Sequence, residues 1–180
     1  RTREAQPIFT RFGMHAGWLE RGVIGGGGRF SYNVVGDIVN TAKRIESLNK
    51  TLGTQILATR EVVEGLDEFL LRPVGRFRVK GKHQPVEVAE IVCRRLEANG
   101  QQVALCQTFE AVVNAFRVND HQSVREELER IRNISSADGP ADFYLKLVDG
   151  THRDLVVDRF GTILLDGTGR APIPRYGNSD

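Results

Sequence analysis

The sequence predicts a mixed α/β domain followed by a small helical tail. Three observations carry this. Short apolar runs alternating with period two recur over residues 1–95, set off by glycines and interrupted by two stretches of helical periodicity. Residues 93–104 then turn polar. Beyond them apolar residues return at helical spacing only, over 96–150, before a polar tail at 151–180.

In chain order, Ile8 to His15 alternates as a strand closed by Gly17. A lone histidine such as His15 is expected to lie packed on a sheet. The run Gly22-Val-Ile-Gly-Gly-Gly-Gly-Arg29 invites comparison with a phosphate-binding loop. No Gly-Lys-Ser/Thr follows, and a strand rather than a helix comes next, so a turn between two strands is the expectation.

The stretch Tyr32-Asn-Val-Val-Gly-Asp-Ile-Val-Asn-Thr-Ala-Lys-Arg-Ile-Glu-Ser47 says most. It reads as a strand, a Gly-Asp turn and a helix over 38–50, with Asp37 as N-cap. Ile38, Ala42 and Ile45 fall on one side of that helix. At about 100° per residue, Asn40 and Arg44 lie roughly 200–240° round from Ile38, one turn apart. Such an amide–guanidinium pair could address an anionic ligand, or could be an ordinary solvated face.

Gly53 breaks the pattern, Gln55–Thr59 reads as a buried strand, and Thr59 can cap a helix from Arg60 to Leu66. Residues 70–91 read as a β-hairpin whose turn is flanked by Lys80 and Lys82, which serve either as protective charge at a hairpin end or as an anion contact. A boundary is expected near 95–105. Helices are then expected at Thr108–Val118, carrying Phe109, Val112, Val113 and Phe116, and at Ser123–Ile134, carrying Val124, Leu128 and Ile131. A third starts after Gly139-Pro140 and holds Phe143, Leu145 and Leu147. The group has the look of a tetratricopeptide-type hairpin with a capping helix. Residues 149–180 are expected to form a small hairpin or remain disordered.

The 25 basic and 23 acidic residues nearly cancel and form no long basic run, which argues against a nucleic-acid partner. No apolar run approaches the roughly 20 residues of a membrane span. Cys93 and Cys106 lack metal-ligand neighbours and read as reduced thiols of a cytosolic protein. The chain opens at Arg1 on what looks like an interior strand, so a fragment of something longer is expected.

The blocks Arg11-Phe-Gly-Met-His-Ala-Gly17, Gly22-Val-Ile-Gly25, the stretch from Tyr32 to Ser47, and Val79-Lys-Gly-Lys82 resemble, in order and spacing, the class III nucleotide cyclases over residues 8–92. The resemblance implies the C-terminal half of a ferredoxin-like cyclase sheet covered by helices, N-terminally truncated and exposing apolar surface. It implies conversion of ATP to 3′,5′-cyclic AMP and pyrophosphate by in-line attack of the ribose 3′-oxygen on the α-phosphorus. By the same resemblance, Arg44 stabilises charge on the α-phosphate, Asn40 orients the ribose, Lys80 holds the terminal phosphates with Lys82 as helper, and Asn33 reads the purine. An amide can accept from adenine or donate to guanine, which leaves a guanylate cyclase as an alternative. The family's two Mg²⁺ or Mn²⁺ ions are held by aspartates in the half preceding residue 1, so this chain is expected to contribute no metal ligand. It is expected to be inactive alone, and to work head to tail with a second cyclase domain in the cytosol or on the cytosolic face of a membrane. The competing reading is a non-catalytic module that pairs with a complete cyclase or docks a protein partner on the helical tail.

Overall fold

Five strands of the main sheet and five helices organise the computed structural model, which describes residues 9–26, 29–35, 37–79, 84–152 and 155–165. In sheet order the strands are β1 (Phe12–Met14), β4 (Ile56–Thr59), β6 (Val86–Arg94), β5 (Phe69–Val79) and β7 (Thr162–Leu165). β1 pairs parallel to β4 and β7 parallel to β5, whereas β6 runs antiparallel to both its neighbours. A separate antiparallel hairpin joins β2 (Glu20–Gly26) to β3 (Arg29–Val35). Gly25 and Gly26 belong to β2, in register with Phe30 and Arg29, so half of the glycine run is strand; Gly27 and Gly28, where the turn was expected, fall outside the described residues.

The helices are α1 (Asp37–Leu52), α2 (Arg60–Val63), α3 (Gly100–Arg117), α4 (His121–Ile134) and α5 (Gly139–Val148), with a single 3-10 turn at Arg95–Glu97. One apolar core runs through them: Ile45, Leu48 and Leu52 of α1, Val74 and Phe77 of β5, Phe109 and Phe116 of α3, Leu128 of α4, and Tyr144 of α5. The helices beyond residue 99 thus share the core of the sheet.

Several local expectations shift. The first strand is Phe12–Met14, paired with Ile56–Ala58 of β4, shorter than the expected Ile8–His15, of which Ile8 lies outside the described residues. Asp37 is the first residue of α1, and its carbonyl accepts from the Thr41 hydroxyl at 2.8 Å. Thr59 occupies the N-cap of α2 but makes no capping hydrogen bond; its hydroxyl is engaged with His15 Nδ1 at 2.9 Å. α2 stops at Val63, with Glu64 already extended and Gly65 at φ +83°, a left-handed conformation suited to glycine. α3 begins two turns before the expected start. Asn99 and Gln102 form a reciprocal capping box, which turns Gly100 from a breaker into the first helical residue. In α5 the buried residues are Pro140, Ala141, Phe143, Tyr144 and Val148, with Leu145 and Leu147 only partly buried. Past α5, Val157 bridges antiparallel to Ile163, a small hairpin, but β7 itself joins the main sheet beside β5.

Two polar connections tie the later helices to the sheet. Arg72 of β5 is buried, donates to Glu90 through Nε (2.7 Å) and Nη2, and reaches Asp138 through Nη1 at 2.5 Å. Its guanidinium also lies over the Phe109 ring, 5.2 Å from the centroid. Burial lowers the Arg72 pKa, but the two carboxylates more than offset that and leave it raised; Glu90 is also raised, by burial first, with Arg72 pulling it down. One guanidinium faces two carboxylates, whereas Glu90 shares it with Asp138.

The second connection is Tyr144, fully buried, whose hydroxyl donates to the Val74 carbonyl at 3.0 Å. It fits because β5 bulges between Pro73 and Gly75. Gly75 sits at φ +124°, and a Cβ there would lie 2.3 Å from the Tyr144 oxygen.

Candidate active site

α1 is positioned from beneath by β1. A Cβ on Gly13 would lie 2.0 Å from the Glu46 nitrogen and 2.5 Å from the Ala42 carbonyl oxygen, so strand and helix backbones touch. Asn49, buried at the far end, donates to the Phe12 carbonyl at 2.9 Å and accepts from the Thr54 hydroxyl at 2.8 Å. Thr41, Ile45, Leu48 and Leu52 complete the buried side.

What this leaves to solvent is the arc holding Val39, Asn40, Lys43 and Lys50. Arg44 sits at the border of that arc and is half-buried, while Asn40 is exposed. Asn40 and Arg44 therefore do share the outward side, about 6 Å apart along the axis. Arg44 lies closer to the packed flank than a helical wheel anchored on Ile38 implied. The buried stripe is centred on Ile45 and Leu52, and Ile38 is only partly buried.

Topology brings other candidates to the same end of the sheet. Gly17, beyond the end of β1, approaches the Ile38 side chain, and Asn49 reaches the start of β1, so α1 runs antiparallel to β1 and β4. Its first turns, with Asn40 and Arg44, consequently stand over the C-terminal ends of β1 and β4. β5 is parallel to β4 through the intervening β6, so Val79 also ends at this edge. Lys80 and Lys82, the next candidates, lie outside the described residues. Asn33 is two residues from the end of β3, in register with Gly22, on the strand that leads towards α1.

His15 belongs to this edge as well. Its Nδ1 pairs with the Thr59 hydroxyl and stands 3.9 Å from Glu61 Oε2. Among the described residues no group of three or more His, Cys, Asp or Glu side chains comes together to hold a metal ion. A buried charged cluster that periodicity did not reveal is Arg72–Glu90–Asp138. Its readable trace was Arg72 directly opposite Glu90 in the hairpin register.

Residues 1–91 match the model of the adenylate and guanylate cyclase catalytic domain. The chain belongs to this cyclase family. Among curated relatives, adenylate cyclase 1 of Rhizobium meliloti (strain 1021) is 38% identical over 84 residues, 46% of this chain and 13% of that protein. An adenylate cyclase of Mycobacterium bovis is 44% identical over 77 residues, 42% of this chain and 17% of that protein. The photoactivated adenylate cyclase subunit alpha-like protein FB of Euglena gracilis is 31% identical over 163 residues, 87% of this chain and 15% of that protein. That last similarity extends past the family match into the helices beyond β6. The chain spans less than a fifth of the length of these relatives. The mixed sheet and its covering helices are consistent with the cyclase domain fold.

Proposed function

We propose that this chain supplies the transition-state and phosphate-binding side of an adenylate cyclase site, turning ATP into 3′,5′-cyclic AMP and pyrophosphate. The observation that carries the reading is α1. It is clamped to β1 by a backbone contact at Gly13 and presents Asn40 and Arg44 on its outward side at the strand C-terminal edge. A guanidinium rooted on a packed flank is pre-organised, which is what stabilising charge on a transferring phosphoryl group requires.

In this reading Arg44 donates to the α-phosphate oxygens as charge builds on them, and Asn40 holds the ribose so that its 3′-oxygen lies in line. Asn33 reads the purine edge, and Lys80 with Lys82 binds the terminal phosphates. A second cyclase domain packed head to tail would bring the family's Mg²⁺ or Mn²⁺ ions, whose role is to polarise the phosphates. ATP is favoured over GTP because the relatives above carry adenylate cyclase names. The free thiols Cys93 and Cys106 support a reducing, cytosolic setting, including the cytosolic face of a membrane.

The test mixes the full chain with a partner cyclase domain that carries metal-binding aspartates and lacks its own transition-state arginine, so that only the composite site can turn over. Cyclic AMP should form, and Arg44→Ala should lower kcat by about a hundredfold or more. Wild-type turnover by Arg44→Ala sinks the assignment, and faster turnover of GTP than of ATP moves it to a guanylate cyclase.

A further inference from the structure

α5 begins where α1 ends, and the two meet backbone to backbone. A Cβ added at Gly139 would lie 2.2 Å from the Leu52 carbonyl oxygen, 3.0 Å from its carbon and 3.1 Å from the Gly53 Cα. Helix carbonyls point along the axis toward the C-terminus, so Gly139 stands against the end of α1 as a stop.

The stop is itself anchored. Asp138, the N-cap of α5, accepts from the Ala141 amide at 2.9 Å and from Arg72 at 2.5 Å, and Arg72 is held by Glu90. Further along α5, Tyr144 bonds the Val74 carbonyl and packs edge-on against Phe109 and Phe116 of α3. Arg44 is eight residues, or about 12 Å, from the contact, and Asn40 about 18 Å, on one unbroken helix. A helix is stiff along its axis, so an axial push at Leu52 is carried along α1 toward both side chains, against the hold of β1 at Gly13.

We propose that the α5 N-terminus is a positioning element of the cyclase site, with Gly139 as the positioning residue that sets where α1 stands and thereby where Arg44 and Asn40 meet the nucleotide. The proposal rests on the cyclase reading of α1. A methyl group at Gly139 demands a shift of about 1 Å between backbones, a displacement able to cost up to about a hundredfold in rate when it falls on a transition-state contact.

The test uses the same mixture of full chain and partner domain with ATP, comparing Gly139→Ala, Asp138→Asn, Arg44→Ala and Gly100→Ala. Gly100 is the control, since nothing lies within 4 Å of its added Cβ. Gly139→Ala should lower kcat by about tenfold or more at little-changed KM. Hydrogen exchange should quicken at the amides of residues 41–52, and Gly100→Ala should match wild type in both readouts. Asp138→Asn keeps the cap and removes one charge from Arg72, so it should lower kcat less, again at unchanged KM. It carries the test if Gly139→Ala gives no folded protein by circular dichroism. If Arg44→Ala is dead while the folded tail variants turn over and exchange like wild type, the positioning role is refuted and the cyclase reading stands. If Arg44→Ala turns over like wild type, the cyclase reading falls and takes the proposal with it.

Discussion

Replacing Tyr144 with phenylalanine removes one oxygen from the centre of the molecule, and the structure sets both the size and the pH dependence of the effect. The hydroxyl is fully buried and donates to the Val74 carbonyl, itself buried, at 3.0 Å. Deleting it forfeits the bond and leaves a buried acceptor short of a partner, about 1–2 kcal/mol in all. For a chain of 180 residues that corresponds to a loss of about 2–8 °C in Tm.

Burial raises the Tyr144 pKa well above the usual tyrosine range, against the opposing pull of Arg117. The folded state therefore favours the neutral phenol. That contribution is complete below the unfolded value of about 10 and is lost as pH climbs toward the folded pKa, at up to about 1.4 kcal/mol per pH unit. Wild type should be the more stable protein at pH 7 and lose its advantage above pH about 10, where Tyr144→Phe lacks this titration. Urea unfolding followed by far-ultraviolet circular dichroism at a series of pH values measures both arms. Equal stability at pH 7 together with the same alkaline decline in both proteins would refute the reasoning.

Two further outcomes follow from buried groups. Arg72→Met should destabilise by about 3–5 kcal/mol, because it strands two buried carboxylates, and adding Asp138→Asn should recover part of the loss in a double-mutant cycle. The Cys106 thiol is pushed up to about 11, by burial first and against the pull of Arg72, so iodoacetamide at pH 8 should modify half-buried Cys93 much faster than Cys106. Urea should equalise the two; equal rates in the native protein would contradict the packing.

The parts of the fold that could be read in advance are those whose signal is local. Ile45, Leu48 and Leu52 mark α1 by spacing, and the alternation after Pro85 marks β6. The start of α3 was local too, in Asn99 and Gln102, yet the glycine between them is more often a breaker. The parallel pairing of β7 with β5 was not legible, since Thr162–Leu165 looks the same whether it folds back on Val157 or crosses to Arg76. Nor was the cluster of Arg72, Glu90 and Asp138, which needs a helix cap to return to a hairpin far earlier in the chain. The site divides the same way. The one-turn spacing of Asn40 and Arg44 was visible, whereas the half-burial of Arg44 depends on how β1 seats the helix beneath it.

The position of β7 has a consequence for how this sheet can grow. β1 and β7 are the two margins of the sheet; Val157 bridges β7 at Ile163, and among the described residues no strand pairs the outer side of β1. β1 is three residues long and is flanked by Phe9 and Trp18, both largely exposed, with Phe12 half-exposed on the strand itself. A strand that extends the sheet past β1, from this polypeptide or another, meets this short edge with its exposed aromatic side chains. Addition there would fall beside the strand against which α1 is seated, the helix that carries Asn40 and Arg44.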